Sequence, residues 1–546
     1  MRTIRLLASS VLFLLFPALA AGQTAPTPVF GETLEVRVVN LEVVVTDRAG
    51  LPVSGLEAGD FELRVDGAEV PIGFFTEVRG GTAIAGTGEP GEAPAVPGVP
   101  ALAPGEPVDT SYLVFIDEVF SIPRDRNRVL DRLRSDLGRL GPEDRMAIVA
   151  FDGRKLTMLT SWSSSPTVLD RALREAQARP AFGQQRLSEL RTLQTDQRYF
   201  RGLPTRQGSL PRSRLEAHEL AFAQRLQDRL EGVVFAAVGA LQSFAQPPGR
   251  KVMLLLSGGW PEDPAEYAAG EPLLLGDPDG GLRRGEEVYA PVLAAANQIG
   301  YTLYTVDVPG FSGPDVDAGS SEAPMEGIAA WREHSLRQTL YRLAGETGGK
   351  ALLSAQRLDA LAAVAADTRS YYWLGFTPVW KGDDRDHEVA LRVRREGVRV
   401  RSRSGFVDFS VNREVSLRLE SGLLLGEVPG AEPLTLEVGR PQRVRPGRMR
   451  VPFTLTLAPE QLVLLPGGDG VPAATVELRV AALDENGGRS EVPVMPLVIR
   501  GEAGKAGAAI RFASEMELRR LEHRLLVAIH DPMTGRLFVA EREIRP

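Results

Sequence analysis

The chain contains no cysteine. That absence removes disulfides, thiolate nucleophiles, iron–sulfur clusters and thiolate zinc sites together. Histidine is almost as scarce, with only His218, His334, His387, His523 and His530. No two of them stand at a metal-pair spacing such as HExxH, so a zinc site or a triad would have to recruit one of them across the fold. The Gly-x-Ser-x-Gly elbow of the α/β-hydrolases is missing as well. Beyond the N-terminal segment no apolar run is long enough to span a bilayer. Positive charge is in deficit: 63 Lys and Arg face 71 Asp and Glu, and the net charge of −8 repels nucleic-acid phosphates.

What is present begins with a secretory signal. Arg2 and Arg5 precede the apolar stretch Leu6 to Leu19, and Ala18-Leu19-Ala20 supplies a small-x-small cleavage pattern. The expectation is export, either to the periplasm or to the medium, with a mature chain starting near Ala21. Removal of the two arginines leaves 61 basic against 71 acidic residues. Without a thiol, lipoprotein anchoring has no chemistry to use.

The chain has 546 residues, which at about 150 per domain predicts three or four domains. A β domain is read over 32–78, from Leu34-Glu35-Val36-Arg37-Val38, Val43-Val44-Val45, and Phe61 to Val65 before the Asp66-Gly67 turn. Residues 79–110 form a Pro/Gly/Ala-rich linker. It contains Gly86-Thr87-Gly88-Glu89-Pro90-Gly91, a dinucleotide-like pattern rejected because so proline-rich a tract starts no helix. From 111 to 370 buried-strand runs (Tyr112 to Ile116, Met146 to Phe151, Val252 to Leu256, Tyr301 to Val306) alternate with helical spacing such as Val129, Leu130, Leu133 and Leu137. This predicts an α/β domain with a doubly wound, Rossmann-like parallel sheet. Inside it, about 184–229 reads as an insertion rich in arginine (Arg186, Arg191, Arg198, Arg201, Arg212, Arg214), a partner-binding lid or surface decoration. The adjoining Leu230 to Phe244 run reads as a core helix.

After Tyr371 no helical period is read. A strand extension over 371–410 is expected to hold a hairpin turning at Glu396-Gly397, with Arg392, Arg394, Arg399, Arg401 and Arg403 on one face. That row grips an acidic partner or an anionic polymer, or it is a solvated face that discourages edge pairing. Residues 411–546 read as a C-terminal β-sandwich-like domain. Asp484-Glu485-Asn486-Gly487 is preferred as a hairpin turn over a calcium loop, and Gly345 to Lys350 as a helix-end turn over a phosphate loop.

Ligands of such a sheet bind at the carboxyl ends of its strands, which directs attention to Asp117-Glu118-Val119-Phe120-Ser121 after the first strand. A carboxylate followed by hydroxyls on such a loop is how Mg²⁺ is held.

On these segments the chain resembles the von Willebrand factor type A (VWFA) domain, and more closely the secreted VWFA-related proteins of Acidobacteria type. The resemblance rests on Leu113 to Asp117, Asp144 to Phe151, Arg250 to Gly259, Gly345-Glu346-Thr347-Gly348-Gly349 and Tyr371 to Pro378, in that order, and extends over about 32–408. It implies an adhesion site of the form Asp-x-Ser-x-Ser, a threonine from a second loop and an aspartate after a third strand. Asp117 and Ser121 match the first loop, and they are the candidate metal ligands for Mg²⁺ or Ca²⁺. Val119 replaces the middle serine, Gly258 stands where the aspartate is expected, and no threonine lies around Leu230 to Ala237. The site therefore reads as incomplete, with Glu118 or Asp263 as possible substitutes, and Asp117 reads more readily as a loop or helix cap than as a ligand. The expected function is non-enzymatic: an exported VWFA-domain protein mediating protein–protein interaction or adhesion in the cell envelope through a degenerate, largely metal-independent site, with no cofactor and an unknown protein partner. The alternatives are Mg²⁺- or Ca²⁺-dependent ligand binding at Asp117 and Ser121, an envelope hydrolase, and a structural spacer.

Overall fold

The computed structural model describes residues 38–84, 102, 104–201, 210–245, 249–270, 282–308, 323–458, 461–466, 472–490, 492–500 and 510–546. The signal-peptide reading at 1–20, most of the linker and residues 202–209 of the insertion lie outside them. The first strands are β1 (Val39–Thr46), β2 (Phe61–Val65), β3 (Ala68–Glu69), β4 (Phe74–Arg79) and β5 (Thr82–Ala83). Next come β6 (Thr110–Asp117), α1 (Pro123–Ser135), β7 (Arg145–Phe151), β8 (Leu156–Ser163), α2 (Pro166–Ala178), α3 (Gly183–Arg201) and α4 (Leu210–Ser243). They are followed by β9 (Arg250–Ser257), α5 (Pro264–Ala269), α6 (Gly285–Ile299), β10 (Tyr301–Asp307), α7 (Ala323–Glu346), β11 (Ala351–Leu352) and α8 (Ala360–Asp367). Then come β12 (Tyr371–Phe376), β13 (Asp386–Val393), β14 (Arg399–Arg401), β15 (Gly405–Val407) and α9 (Val411–Leu425).

Six strands form the central sheet in the order β11-β10-β9-β6-β7-β8, all parallel except β8. Strands covered on both faces need continuous apolar runs rather than alternation, and Leu113 to Ile116, Ala147 to Ala150 and Met253 to Leu256 are fully buried. One face packs Leu113, Phe115 and Leu255 against Val233, Leu241 and Val292 of α4 and α6. The other packs Val114, Ile116 and Leu254 against Leu130, Leu169 and Leu361 of α1, α2 and α8.

The predicted β domain and the strand extension form one two-sheet body, although the α/β segment separates them in sequence. Its first sheet runs β14-β1-β12-β4-β5 and its second β15-β13-β2-β3. Leu41, Val43, Phe61, Leu63, Phe75, Tyr372, Leu374 and Phe406 fill the space between. The expected hairpin at Glu396-Gly397 is corrected here. Gly397 takes a left-handed turn, φ 76°, but the strands on either side go to opposite sheets, β13 pairing with β2 and β15 while β14 pairs with β1. A short alternating strand carries no local information on which distant edge it joins.

A second correction concerns α9, since helices do not end at Tyr371. Ser410 Oγ accepts the Arg413 N–H (3.2 Å) at its start, and Gly426 closes it with φ 85°. Leu417 and Leu424 join the cluster of α4, while Val415, Leu419 and Leu423 pack on the C-terminal strands. Those strands make two sheets. One holds β16 (Glu432–Pro433), β25 (Leu537–Ile544), β24 (His523–His530), β21 (Pro472–Asp484) and β20 (Leu465–Pro466), with β22 (Val494–Arg500) on β21. The other holds β17 (Thr435–Val438), β19 (Arg448–Leu457) and β18 (Gln442–Arg445), with β23 (Ile510–Arg519) on β19. Val451, Phe453, Val476, Leu478, Val527 and Phe538 are buried in the cluster the two sheets share.

Candidate functional site

Strand order reverses between β6 and β9, and in open α/β sheets the ligand crevice lies outside the carboxyl ends of the strands at such a switch point. Asp117 ends β6 and Ser257 ends β9. Asp117 is fully buried. Its Oδ1 accepts the N–H of Val119 (2.9 Å) and of Phe120 (3.3 Å), and its Oδ2 accepts Ser257 Oγ–H (2.6 Å) and Trp260 Nε1–H (2.9 Å). Burial pushes its carboxyl up, against the pull of the Ser257 and Trp260 donors.

The other candidate positions are also committed. Glu118 receives Arg179 through both oxygens (2.7 and 2.9 Å), with Arg126 at 3.6 Å. Burial raises its carboxyl despite these guanidiniums. Asp263 caps α5, accepting the N–H of Ala265 (2.9 Å) and Glu266 (3.1 Å). Ser121 Oγ is buried with no hydrogen-bond partner among the described residues. At Gly258 a Cβ would lie 1.9 Å from the Phe120 carbonyl oxygen, so no side chain fits where the resemblance expects an aspartate. The segment from Leu230 to Ala237 is the buried middle of α4.

These residues do not fit a Mg²⁺ or Ca²⁺ ion. Hard cations need several free oxygens, whereas both Asp117 oxygens already hold two donors each, and the indole N–H among them can only donate. Trp260, Arg126 and Arg179 were missed in the sequence. A tryptophan three residues after the β9 serine was the available signal, but nothing local shows that its N–H turns back onto Asp117.

The described part of the insertion is helical and is stitched to this loop. The Phe182 N–H donates to Glu118 O (2.7 Å) and the Gly183 N–H to Ser121 O (3.0 Å), which seats the start of α3 on the carboxyl end of the sheet. Leu190 and Leu193 of α3 join Phe222, Ala223 and Leu226 of α4 in the core cluster. Of the insertion's arginines, Arg186 is buried and paired with Glu189 (2.9 Å). Tyr199 of α3 is 65% exposed.

The row of arginines near the expected hairpin is divided. Arg401 grips Asp367 (2.6 and 2.7 Å) and the Gly348 carbonyl (2.6 Å), and Arg403 is buried against the Asn297 carbonyl. Only Arg392, Arg394 and Arg399 are exposed. Burial works against the Asp367 charge, but Arg401 and Lys350 hold its carboxyl down at about 2.

The five histidines each take a different neighbour. His218 meets Asp196, His334 meets Gln338, His387 meets Asp66, His523 meets the Leu521 carbonyl and His530 meets Glu477. A cavity of about 470 Å³ beside Tyr304, Tyr341, Lys350, Leu352 and Gln356 opens at the β11 edge, away from the switch point.

No family model matches the chain. No curated protein matches it. Among solved structures, the pilus adhesin SpaC from Lactobacillus rhamnosus GG aligns over 90% of this chain and 62% of its own length, at 10% identity and a TM-score of 0.27. The vWF domain of the type V pili tip protein Mfa5 from Porphyromonas gingivalis aligns over 47% of this chain and 94% of its own, at 12% identity and a TM-score of 0.24. A β-glucuronidase of Bacteroides uniformis aligns over 32% of this chain at 10% identity and a TM-score of 0.16, and this chain spans only 19% of it. At these scores none of the likenesses bears on function.

Proposed function

We propose that this chain is an exported, non-enzymatic binding protein. In this reading its A-type, doubly wound α/β domain recognises another protein at the cell envelope without a metal at Asp117, by way of the α3–α4 insertion. One observation carries it: the switch-point carboxylate is closed by Ser257 and Trp260, and the loop that bears it is capped by α3. A binding surface at that end is then made of the insertion itself, where Tyr199 stands exposed. The strand order, with an antiparallel β8 at one edge and the reversal between β6 and β9, supports the fold reading. No described helix is long and apolar enough to cross a membrane.

The test is photo-crosslinking from position 199 in the native envelope, read by mass spectrometry. One partner should be recovered equally in Mg²⁺ and in EDTA, and Arg191→Glu, about two turns earlier on the same helix, should reduce the yield. Capture that requires Mg²⁺ would refute the metal-free reading. N-terminal sequencing of exported protein should begin near Ala21.

A further inference from the structure

We propose that Asp383, His387 and Asp408 bind a divalent transition-metal ion of the Zn²⁺ class, at a site separate from the Asp117 loop. The site joins the β12–β13 loop to the junction between β15 and α9. One ligand atom from each of these three residues lies within 4.8 Å of the other two.

The buried member is the first reason. Asp408 is only 2% exposed. Its Oδ2 accepts the N–H of Lys381 (2.6 Å) and Gly382 (3.0 Å), while its Oδ1 receives no hydrogen bond among the described residues. A carboxylate this buried is costly without a counter-ion, and among the described residues no cationic side chain forms an ion pair with it. The one arginine at the site, Arg385, approaches only Asp383, at 3.7 Å, and is 77% exposed.

The histidine is the second. His387 lies 2.7 Å through Nδ1 from Asp66 Oδ2 and stacks on Phe406 at 5.0 Å between centroids. With Nδ1–H donating to Asp66, Nε2 is the nitrogen left to face a metal ion. A carboxylate behind the ring is the usual support of a metal-binding histidine, because it fixes the tautomer and raises the basicity of the other nitrogen.

The backbone holds the group in place. The Asp384 N–H donates to Asp408 O (2.8 Å) and the Asp408 N–H to Arg385 O (3.0 Å), so the loop is tied to the strand on both sides of the carboxylate. Asp384 takes φ 58° and turns its own carboxylate away to the Ser410 N–H and Oγ–H (2.8 and 2.9 Å). Ligands on a tetrahedral Zn²⁺ at about 2.1 Å lie roughly 3.4 Å apart, so from separations within 4.8 Å the side chains need to close by up to about 1.4 Å, which the solvent-facing Asp383 can supply. One imidazole with two carboxylates suits Zn²⁺, whereas Mg²⁺ and Ca²⁺ prefer sites made wholly of oxygen.

The experiment uses untagged full-length protein stripped with a chelator and then dialysed against ZnCl₂, MgCl₂ or CaCl₂. Elemental analysis and calorimetry should find one Zn²⁺ per chain with a rise in Tm, and neither Mg²⁺ nor Ca²⁺ should compete. Asp383→Asn, on an exposed side chain, should weaken Zn²⁺ binding at least tenfold with an unchanged circular dichroism spectrum. Asp66→Asn, acting only through the ring, should weaken it about 10- to 100-fold. Trp260→Phe, at the other site, should leave it unchanged. Failure of the stripped wild type to take up Zn²⁺, or equal uptake by folded Asp383→Asn protein, overturns the proposal. Neither result touches the crosslinking test of the metal-free A-type domain.

Discussion

Asp117 shows how far a single residue can be read from its neighbours. The sequence placed a carboxylate at the right strand end and showed its partners to be incomplete, and that much follows from spacing alone. What fills the gap is a tryptophan N–H and a serine hydroxyl from the far side of the sheet switch, and such contacts depend on backbone approach, not spacing. Asp367 belongs to the same class: nothing around it in sequence announces that Arg401 will reach it from 34 residues away. Its charge gives a pH prediction. The folded carboxyl sits at about 2, below its ordinary 3.8, so folding favours the ionised form. The stabilisation, about 2 kcal/mol for a shift of this size, is complete above about pH 5 and drains as pH falls toward 2. Urea midpoints of wild type and Asp367→Asn, measured across this range, should converge at the acid end. A gap between them that does not change with pH would refute the assignment.

At the scale of elements, the central strands were legible because burial on both faces writes an unbroken apolar run, as in Leu113 to Ile116. Helix α9 was not, and the reason is physical. It is wedged between α4 and the β21–β24 sheet, so apolar residues occur around much of its circumference and Val415, Leu417 and Leu419 mimic the alternation of a strand. Its end signals, Ser410 and Gly426, were present but lay outside that pattern. Because α9 joins two cores, truncation inside it should loosen both. Leu419→Ala removes a fully buried side chain facing Ala481 and Leu526 in the cluster and should cost about 2–5 kcal/mol. Differential scanning calorimetry should show a lower Tm, and limited proteolysis should cut between α9 and the C-terminal sheets. A Tm within a degree of wild type would mean that α9 is an ornament and not a wedge.

Across the whole molecule, Arg37–Pro546 holds together as one compact unit, and a buried ion pair is among the links within it. Glu42 on β1 is buried against Arg250 at the start of β9, with 3.0 Å between carboxylate oxygen and Nε. Thr302 Oγ–H donates to the same carboxylate (3.1 Å), and the guanidinium lies 4.2 Å over the Tyr371 ring while donating to the Thr368 carbonyl (3.2 Å). One ion pair therefore connects the outer face of the first sandwich with the central sheet. Neither Glu42 nor Arg250 stands out in sequence, because 208 positions separate them. Breaking a buried pair leaves a charge without compensation, so Glu42→Ala should destabilise by about 3–5 kcal/mol, more than an exposed pair is worth by several-fold. Replacing both partners, Glu42→Leu with Arg250→Met, should restore much of that loss, since the cost lies in the stranded guanidinium. A double-mutant cycle on calorimetric stabilities measures the coupling directly. If the pair joins the two bodies, the single variant should also split one unfolding transition into two, with the sandwich melting first. A single transition and additive effects would show instead that contacts other than this pair hold the sandwich and the central sheet together.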